Sequence, residues 1–436
     1  MRRVSSDLMN NDMQFWLRRN ERDMASLETR MATQQKIEKL RDDPLGAARA
    51  VRYDSVVERL KRYETNTQAA ADQTKVTEGY VRSAVDVMQR IRELAVQGAN
   101  GTYTSDDRKA IGVEVDQLLN ELVSLANARS PDGTFLFAGD ASRTEPYRTV
   151  LGTAVGTGTE GVTGVQYQGG YNGARSEVSE GTTIALRQPG TDIFWAERQQ
   201  VASGFDARDW RAGADSSIAV DGIKIEVKAG DTVQALVAKI NDSGAAVRAS
   251  IDPRRFSLML EATIPHQMRL EDLAGTAGTA GADGAAPAVS DGRTGERSGP
   301  LSQLGVIVPG GRVPDNLAPS ARSSGGSLFD VVIRLRDSLN KGDVLETGGL
   351  ALAGIDSGLE NLTRRATEIG ARSERLDFIA ARLNKEIPDA TRLLSAETDL
   401  DITKAVTDYR MLDYAHKASL GFAGRMFPQT LLDFLR

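Results

Sequence analysis

Few residues in this chain could carry catalysis, and they are widely separated. The chain contains no cysteine, which excludes disulfides, thiolate metal ligands and cysteine nucleophiles. Its two histidines are His266, predicted on a loop, and His416, predicted on a C-terminal helix. The H-E-x-x-H, G-x-S-x-G and Walker A patterns are missing from the sequence. A surface or interface role is therefore favoured over catalysis for both histidines.

One glycine pattern resembles a nucleotide-binding loop. Gly156, Gly158 and Gly161 have the G-x-G-x-x-G spacing, which binds a pyrophosphate where a helix begins directly after the glycines. A segment rich in valine and glycine follows here instead, so we expect no helix and no dinucleotide. The sequence thus predicts no catalytic residues, no cofactor and no metal site.

Composition limits the classes of protein that remain. The chain has 436 residues, 40% of them hydrophobic and only 5% aromatic, which allows two to four domains and suits long helices with aliphatic seams. The net charge of -6 argues against a dedicated nucleic-acid binder. No run of apolar residues is long enough for a transmembrane helix, and the charged N-terminal stretch predicts no secretory signal peptide.

Three long stretches place apolar residues at alternating spacings of four and three. Such a repeat keeps one stripe of a helix facing a partner helix, as in coiled coils and helical bundles. An ordinary helical core is the alternative for any single stretch, but three in one chain favour a bundle built from both chain ends. The C-terminal stretch comprises Ile355, Leu359, Leu362, Ala366, Ile369, Ser373, Leu376, Ala380, Leu383, Ile387, Ala390 and Leu394. The N-terminal stretches comprise Val56, Leu60, Tyr63, Thr67, Ala70, Thr74, Thr77, Val81, Ala84, Met88, Ile91 and Ala95, then Ile111, Val115, Leu118, Leu122 and Leu125.

The outermost segments carry a second set of apolar residues. Burying five such side chains in a first helix over residues 8–38 would contribute roughly 8–15 kcal/mol. Ordering some 25 backbone residues costs about 1–2 kcal/mol each, so a lone tail helix is unstable and orders where several tails pack together. The predicted assembly interface comprises Met13, Leu17, Met24, Leu27, Met31, Leu412, Phe422, Met426, Phe427, Leu431 and Phe434.

Capping residues and prolines mark where the predicted helices begin and end. Asp42, Asp43 and Pro44 predict a helix break, because an acidic residue suits the N-cap and proline suits the first turn. The next helices are expected over residues 44–97 and from Ser105 to about residue 130. A later helix is expected from residue 328 to 339, and Pro388 should kink or divide the long C-terminal helix.

The middle of the chain changes to a strand-like pattern. The sequence pattern of residues 134–139 predicts a short strand. Residues 216–262 predict a ββαββ unit whose helix is capped by Asp231, and residues 274–299 predict a flexible loop rich in alanine and glycine. The expected fold is mixed: an all-α coiled-coil bundle built from both termini, with a β-rich α+β insertion.

These motifs together resemble the flagellin superfamily, most closely its hook-associated protein 3 branch. Pro44 after the acidic pair favours this branch over true flagellins, and the ββαββ unit with Ile240 and Asn241 is similar to an insertion module of many flagellins. The resemblance covers roughly residues 1–147 and 350–436. It rests on residues 1–5, 42–44, 47–48, 99–102, 105–108, 125–127, 132–139 and 431–436.

The resemblance implies a place in an axial polymer. It assigns residues 1–43 and 396–436 to an inner tube, residues 44–147 and 350–395 to an outer tube, and residues 148–349 to a surface-exposed insertion. The implied role is a hook-filament junction subunit that binds hook-associated protein 1, flagellin and copies of itself. It also implies an export chaperone, type III export, and a flagellar location that is extracellular, or periplasmic where flagella are internal. The alternative to the junction role is a flagellin, and the third hypothesis is a secreted adhesin or enzyme on a helical stalk.

Overall fold

The computed structural model describes residues 2–37, 41, 43–156, 158, 160–173, 175–273, 299–311, 313–314 and 316–426, with side chains described between residues 11 and 422. The predicted loop over residues 274–299 therefore lies outside the described residues, apart from Gly299.

Long helices dominate both ends of the chain. In chain order, the helices of the described residues are α1 (Arg2–Thr33), α2 (Pro44–Gly98), α3 (Ser105–Ala126), α4 (Gly190–Ile193), α5 (Val233–Asp242), α6 (Pro300–Gln303), α7 (Leu328–Lys341), α8 (Val344–Glu346), α9 (Leu352–Thr398) and α10 (Ile402–Met426). A π-helical turn, Thr347–Ala351, connects α8 to α9.

Short strands occupy the middle of the chain. They are β1 (Tyr147–Thr153), β2 (Glu160–Tyr167), β3 (Arg175–Ser179), β4 (Thr182–Ala185), β5 (Gln200–Ala202), β6 (Ser216–Val220), β7 (Ile223–Val227), β8 (Val247–Ile251), β9 (Leu258–Ala262), β10 (Leu270–Leu273) and β11 (Arg322–Ser324). They form two hairpins, β1-β2 and β3-β4, and two small sheets of order β10-β6-β7 and β11-β5-β9-β8. The expected combination of a helical bundle with a β-rich insertion is confirmed.

The chain divides into two compact units. One is drawn from residues 1–68, 177–182 and 377–436, the other from residues 69–176 and 183–376. The second unit has two cores: α3 and α7 pack with parts of α2 and α9 around one, and the strands with α5 enclose the other.

The four-and-three pattern predicts the buried faces of the long helices correctly. Each residue of the three stretches is buried or half-buried. Ala70, Val81, Ile355 and Leu362 are fully buried, as expected for seam positions that face neighbouring helices.

The predicted start of α3 is correct, whereas the cap of α5 lies one residue after the predicted one. Thr104 caps α3, accepting from the backbone N–H of Asp107, while the Asp107 carboxylate accepts from the N–H of Thr104. Thr232 caps α5, and Asp231, predicted as the cap, instead pairs with Lys239. The helix α3 also ends at Ala126, short of the predicted residue 130.

The predicted strand over residues 134–139 is wrong. Its backbone groups find scattered partners: Phe135 N–H donates to Ser142 O at 2.9 Å and Leu136 N–H to Ala128 O at 3.0 Å. These bonds satisfy the buried backbone without a continuous ladder.

The predicted ββαββ order is present as β6, β7, α5, β8 and β9, although its two strand pairs belong to different sheets. Pro388 does not divide α9, which remains helical from Leu352 to Thr398.

Candidate assembly interface on the terminal helices

The helices at the two chain ends pair with each other. Of the long helices, α10 is the one that α1 packs against. The Tyr409 hydroxyl donates to Glu28 Oε1 at 2.7 Å, and Leu400 N–H donates to Gln34 O at 2.9 Å. The hydrogen bond to the Glu28 carboxylate raises the pKa of Tyr409. Each terminal helix therefore has a partner within its own chain.

The shared face contains most of the described residues predicted for assembly. Met13, Leu17, Met24, Leu27 and Met31 on α1 are all half-buried, as is Leu412 on α10. Ala405 on α10 is buried. These half-buried residues lie on two helices that pack against each other.

A different set of apolar side chains is left uncovered on the same two helices. On α1, Phe15 and Trp16 are 56% and 55% exposed, and Phe422 on α10 is 67% exposed. Ile402 and Val406, near the start of α10, are exposed as well. We call the other six the outer apolar surface; they are Phe15, Trp16, Met411, Tyr414, Leu420 and Phe422.

Two of these aromatics lie at the same level of the helix pair. The Tyr409–Glu28 hydrogen bond fixes the antiparallel register. Phe15 lies thirteen residues before Glu28, and Phe422 lies thirteen residues after Tyr409. Helices rise equally per residue, so the two rings reach the same height.

The aromatic end of α1 is locally ordered by ring contacts. Phe15 and Trp16 meet edge to face with centroids 6.1 Å apart, and the Arg19 guanidinium lies 5.3 Å from the Trp16 ring. Such contacts hold large side chains in fixed orientations while leaving their outer faces uncovered.

Burial of the outer apolar surface could support association. The six side chains are only partly exposed, so burying the remainder would contribute roughly 5–11 kcal/mol, and association itself costs an estimated 4–15 kcal/mol. Contiguous apolar patches on a helix pair are typical of interaction sites, whereas isolated exposed residues are not.

The predicted helix break has its expected geometry where it is described. Asp43 Oδ1 accepts from Gly46 N–H at 2.9 Å, and Pro44 occupies the first helical position of α2. Asp42 lies outside the described residues, as do Phe427, Leu431, Phe434 and the side chain of Met426.

Sequence reasoning missed Phe15, Trp16, Met411, Tyr414 and Leu420. They do not follow the four-and-three spacing from which the interface residues are predicted. Large apolar residues between seam positions of a short amphipathic helix were the available signal, because a helix with one partner has no reason to carry them.

The features considered for catalysis form no catalytic arrangement among the described residues. The glycine pattern runs into strand β2 rather than a helix, and His266 is buried beside Asp221 instead of lying on a surface loop. Within the described ranges no group of three or more acidic or histidine side chains could hold a metal. None of the helices in the part of the chain that the structure describes could cross a bilayer.

The structure thus combines a helical bundle and a β-rich insertion with two terminal helices that pair and leave large apolar side chains exposed. Residues 4–142 match the bacterial flagellin N-terminal helical region, and residues 212–263 match the flagellin hook IN motif. The second match covers β6, β7, α5, β8 and β9. These two segments are therefore similar to segments of flagellins.

Individual relatives match over part of their length. Flagellin FlaB1 of Treponema pallidum (strain Nichols) is 38% identical over 118 residues, which make up 27% of this chain and 41% of that protein. Flagellar hook-associated protein 3 of Salmonella typhimurium is 22% identical over 192 residues, 44% of this chain and 56% of that protein. The chain spans about half the length of these curated relatives.

A solved structure also resembles the chain. The crystal structure of flagellar hook associated protein-3 from Legionella pneumophila aligns with 79% of this chain and 97% of its own, at 17% identity and a TM-score of 0.44.

Proposed function

We propose that this protein is a structural subunit of the bacterial flagellum that acts at the junction between hook and filament. The proposal gives the chain no enzymatic activity. Its terminal helices pack with those of neighbouring subunits, and its other partners are hook-associated protein 1 on one side and flagellin on the other. Its location is the flagellum, reached through the type III export apparatus with the help of an export chaperone.

The outer apolar surface carries this proposal. Phe15, Trp16 and Phe422 lie exposed on helices whose seam residues are already used within the chain. A monomer gains nothing from large exposed aromatics, whereas a subunit of a polymer buries them against its neighbours. The predicted interface residues Met13, Leu17, Met24, Leu27, Met31 and Leu412 then position that surface by holding α1 and α10 together.

The terminal helices, residues 1–43 and 396–436, are proposed as the inner tube of the polymer. Residues 44–147 and 350–395 form the outer tube, and residues 148–349 face outward. The match to a hook-associated protein 3 over 44% of the chain, against 27% for a flagellin, favours the junction role. The higher identity of the shorter flagellin match favours a filament subunit, which is the second candidate function.

Polymerisation of purified protein separates these two functions. We expect the junction protein to stay monomeric alone, as measured by analytical ultracentrifugation, and to bind isolated hooks that carry hook-associated protein 1, as seen by electron microscopy. Long filaments formed by the protein alone would contradict the junction role and support the flagellin alternative. Failure to bind such hooks would contradict it as well.

A further inference from the structure

A buried histidine lies where the two cores of the second unit meet. His266 is in the segment between β9 and β10, and its side chain is 8% exposed. Met268 and Leu270, just after it, belong to the core of the β-rich part. Ile193 and Phe194, beside Asp192 on α4, belong to the core of the helical bundle.

Both ring nitrogens of His266 face oxygen atoms that only accept. Nδ1 lies 2.8 Å from Ile264 O, and Nε2 lies 2.9 Å from Asp221 Oδ2. A neutral imidazole has a single N–H, so it would leave one of these contacts as two opposed lone pairs. The geometry is satisfied in full only by the imidazolium, which donates from both nitrogens.

Asp221 hydrogen-bonds both to this ring and to the backbone of Arg269. It occupies the β6–β7 turn in the left-handed region, with φ of 51°. Its Oδ1 accepts from Arg269 N–H at 3.0 Å, and its own N–H donates to Arg269 O at 2.9 Å. The side chain of Arg269 reaches the Asp221 carbonyl oxygen at 3.1 Å and lies over the Tyr171 ring.

The charges around His266 come from each element that packs there. Asp221 lies on the β6–β7 turn, Asp192 on α4, Arg269 at the start of β10 and Arg365 on α9. Burial of the ring lowers the pKa of His266, but the hydrogen bond and charge of Asp221, with smaller contributions from Ile264 O and Asp192, raise it above 6.5. Burial raises the pKa of Asp192.

We propose that His266 is a pH-dependent latch that fastens the segment before β10 to the β6–β7 turn. Protonated, the ring bridges Ile264 and Asp221. Deprotonation removes one donor, and the turn and the edge strand β10 then separate more readily. The folded-state pKa lies above the unfolded value, so the stabilisation is fully present below pH 6.5 and is lost as the pH rises through the folded-state pKa.

Nuclear magnetic resonance of the histidine ring tests the protonation step in the full chain. The variant His416→Gln leaves His266 as the single histidine. We expect its ring to titrate above pH 6.5, and to titrate at lower pH in the additional variant Asp221→Asn. Asparagine tolerates the left-handed turn as aspartate does, so the fold is retained. An unchanged titration in Asp221→Asn, or a ring that is neutral below pH 6.5, would overturn the proposal.

Hydrogen exchange tests the latch itself. The amides of Arg269 and Asp221 should lose protection severalfold between pH 6 and pH 9, after correction for intrinsic exchange. The amides of Leu301 and Ser302, which bind Asp272 on the same strand, are the internal control and should keep theirs. In His266→Gln the Arg269 amide should be weakly protected at every pH. Equal pH dependence in this variant and in the parent would overturn the latch.

Discussion

Arg336 joins three elements from a buried position. The residue lies on α7 and is 2% exposed. Its Nη1 donates to Asp116 Oδ1 on α3 at 2.7 Å and to Val162 O on β2 at 2.8 Å, while Nε and Nη2 donate to Asp337. Burial lowers the pKa of the guanidinium, but the Asp116 and Asp337 carboxylates raise it above its ordinary value. The arginine therefore stays charged and ties the bundle to the β1-β2 hairpin.

Removal of this charge should destabilise the second unit. We expect Arg336→Met to lower the free energy of unfolding by about 3 kcal/mol, because Asp116 and the Val162 carbonyl lose their donor. Chemical denaturation followed by circular dichroism measures this. The control is Arg334→Met, whose half-exposed ion pair with Glu197 should be worth less than about 1 kcal/mol. Equal losses in both variants would contradict the role given to Arg336.

Sequence patterns could not assign this role. Arg334 and Arg336 stand two residues apart in one amphipathic helix, so helical spacing predicts that they lie on different faces but does not identify their partners. Their difference depends on where α3 and β2 pack, which are contacts between residues distant in sequence. The same holds for His266, whose partner Asp221 is 45 residues away.

A capping box stabilises the start of α7. Ser327 accepts from Asp330 N–H while the Asp330 carboxylate accepts from Ser327 N–H, so two otherwise unpaired backbone donors are satisfied. We expect Ser327→Ala to cost about 1 kcal/mol of stability. Thermal unfolding measures this loss, with the exposed Ser324→Ala as the control. No difference between the two variants would show that the cap contributes nothing.

The helix α9 contains an internal proline at an exposed position. Pro388 has no N–H for the carbonyl of Asn384, and an interior proline costs a helix up to about 3 kcal/mol. We therefore expect Pro388→Ala to raise the free energy of unfolding by about 1–3 kcal/mol. Pro44→Ala is the control, because the first turn of α2 needs no donor there. A loss of stability in Pro388→Ala would contradict this interpretation.

Long helices were predictable from sequence, and short irregular segments were not. A seam repeated over many turns specifies helix and buried face together, as Ile355 to Leu394 illustrate. The segment from Thr134 to Gly139 has the composition of a strand, but its backbone partners belong to loops that come together only in the folded chain. The cap of α5 was missed by one residue because Thr232 and the neighbouring Asp231 are both good N-cap types.

At the scale of the whole molecule, the half-buried seam on α1 was predicted while the outer apolar surface was not. The pattern identified residues that need a partner. It could not tell whether that partner is another helix of the chain or a second subunit. The structure pairs α1 with α10 and leaves several large apolar side chains off the seam exposed.

Assembly should depend on that surface. We expect the double variant Phe15→Ser and Trp16→Ser to remain folded, because both side chains are exposed, and to fail to bind isolated hooks. The matched control is Phe205→Ser, which removes a similarly exposed aromatic from the β-rich part. Cosedimentation with hooks measures binding, and circular dichroism checks folding. Normal binding by the double variant would remove the outer apolar surface from the assembly interface.

The junction role itself is tested most directly by electron microscopy of cells that lack this protein, with parallel measurement of flagellin in the medium. If the protein joins hook and filament, we expect hooks without filaments and flagellin shed into the medium, and the intact gene should reverse both effects. Filaments of normal number and length on the mutant hooks would contradict it.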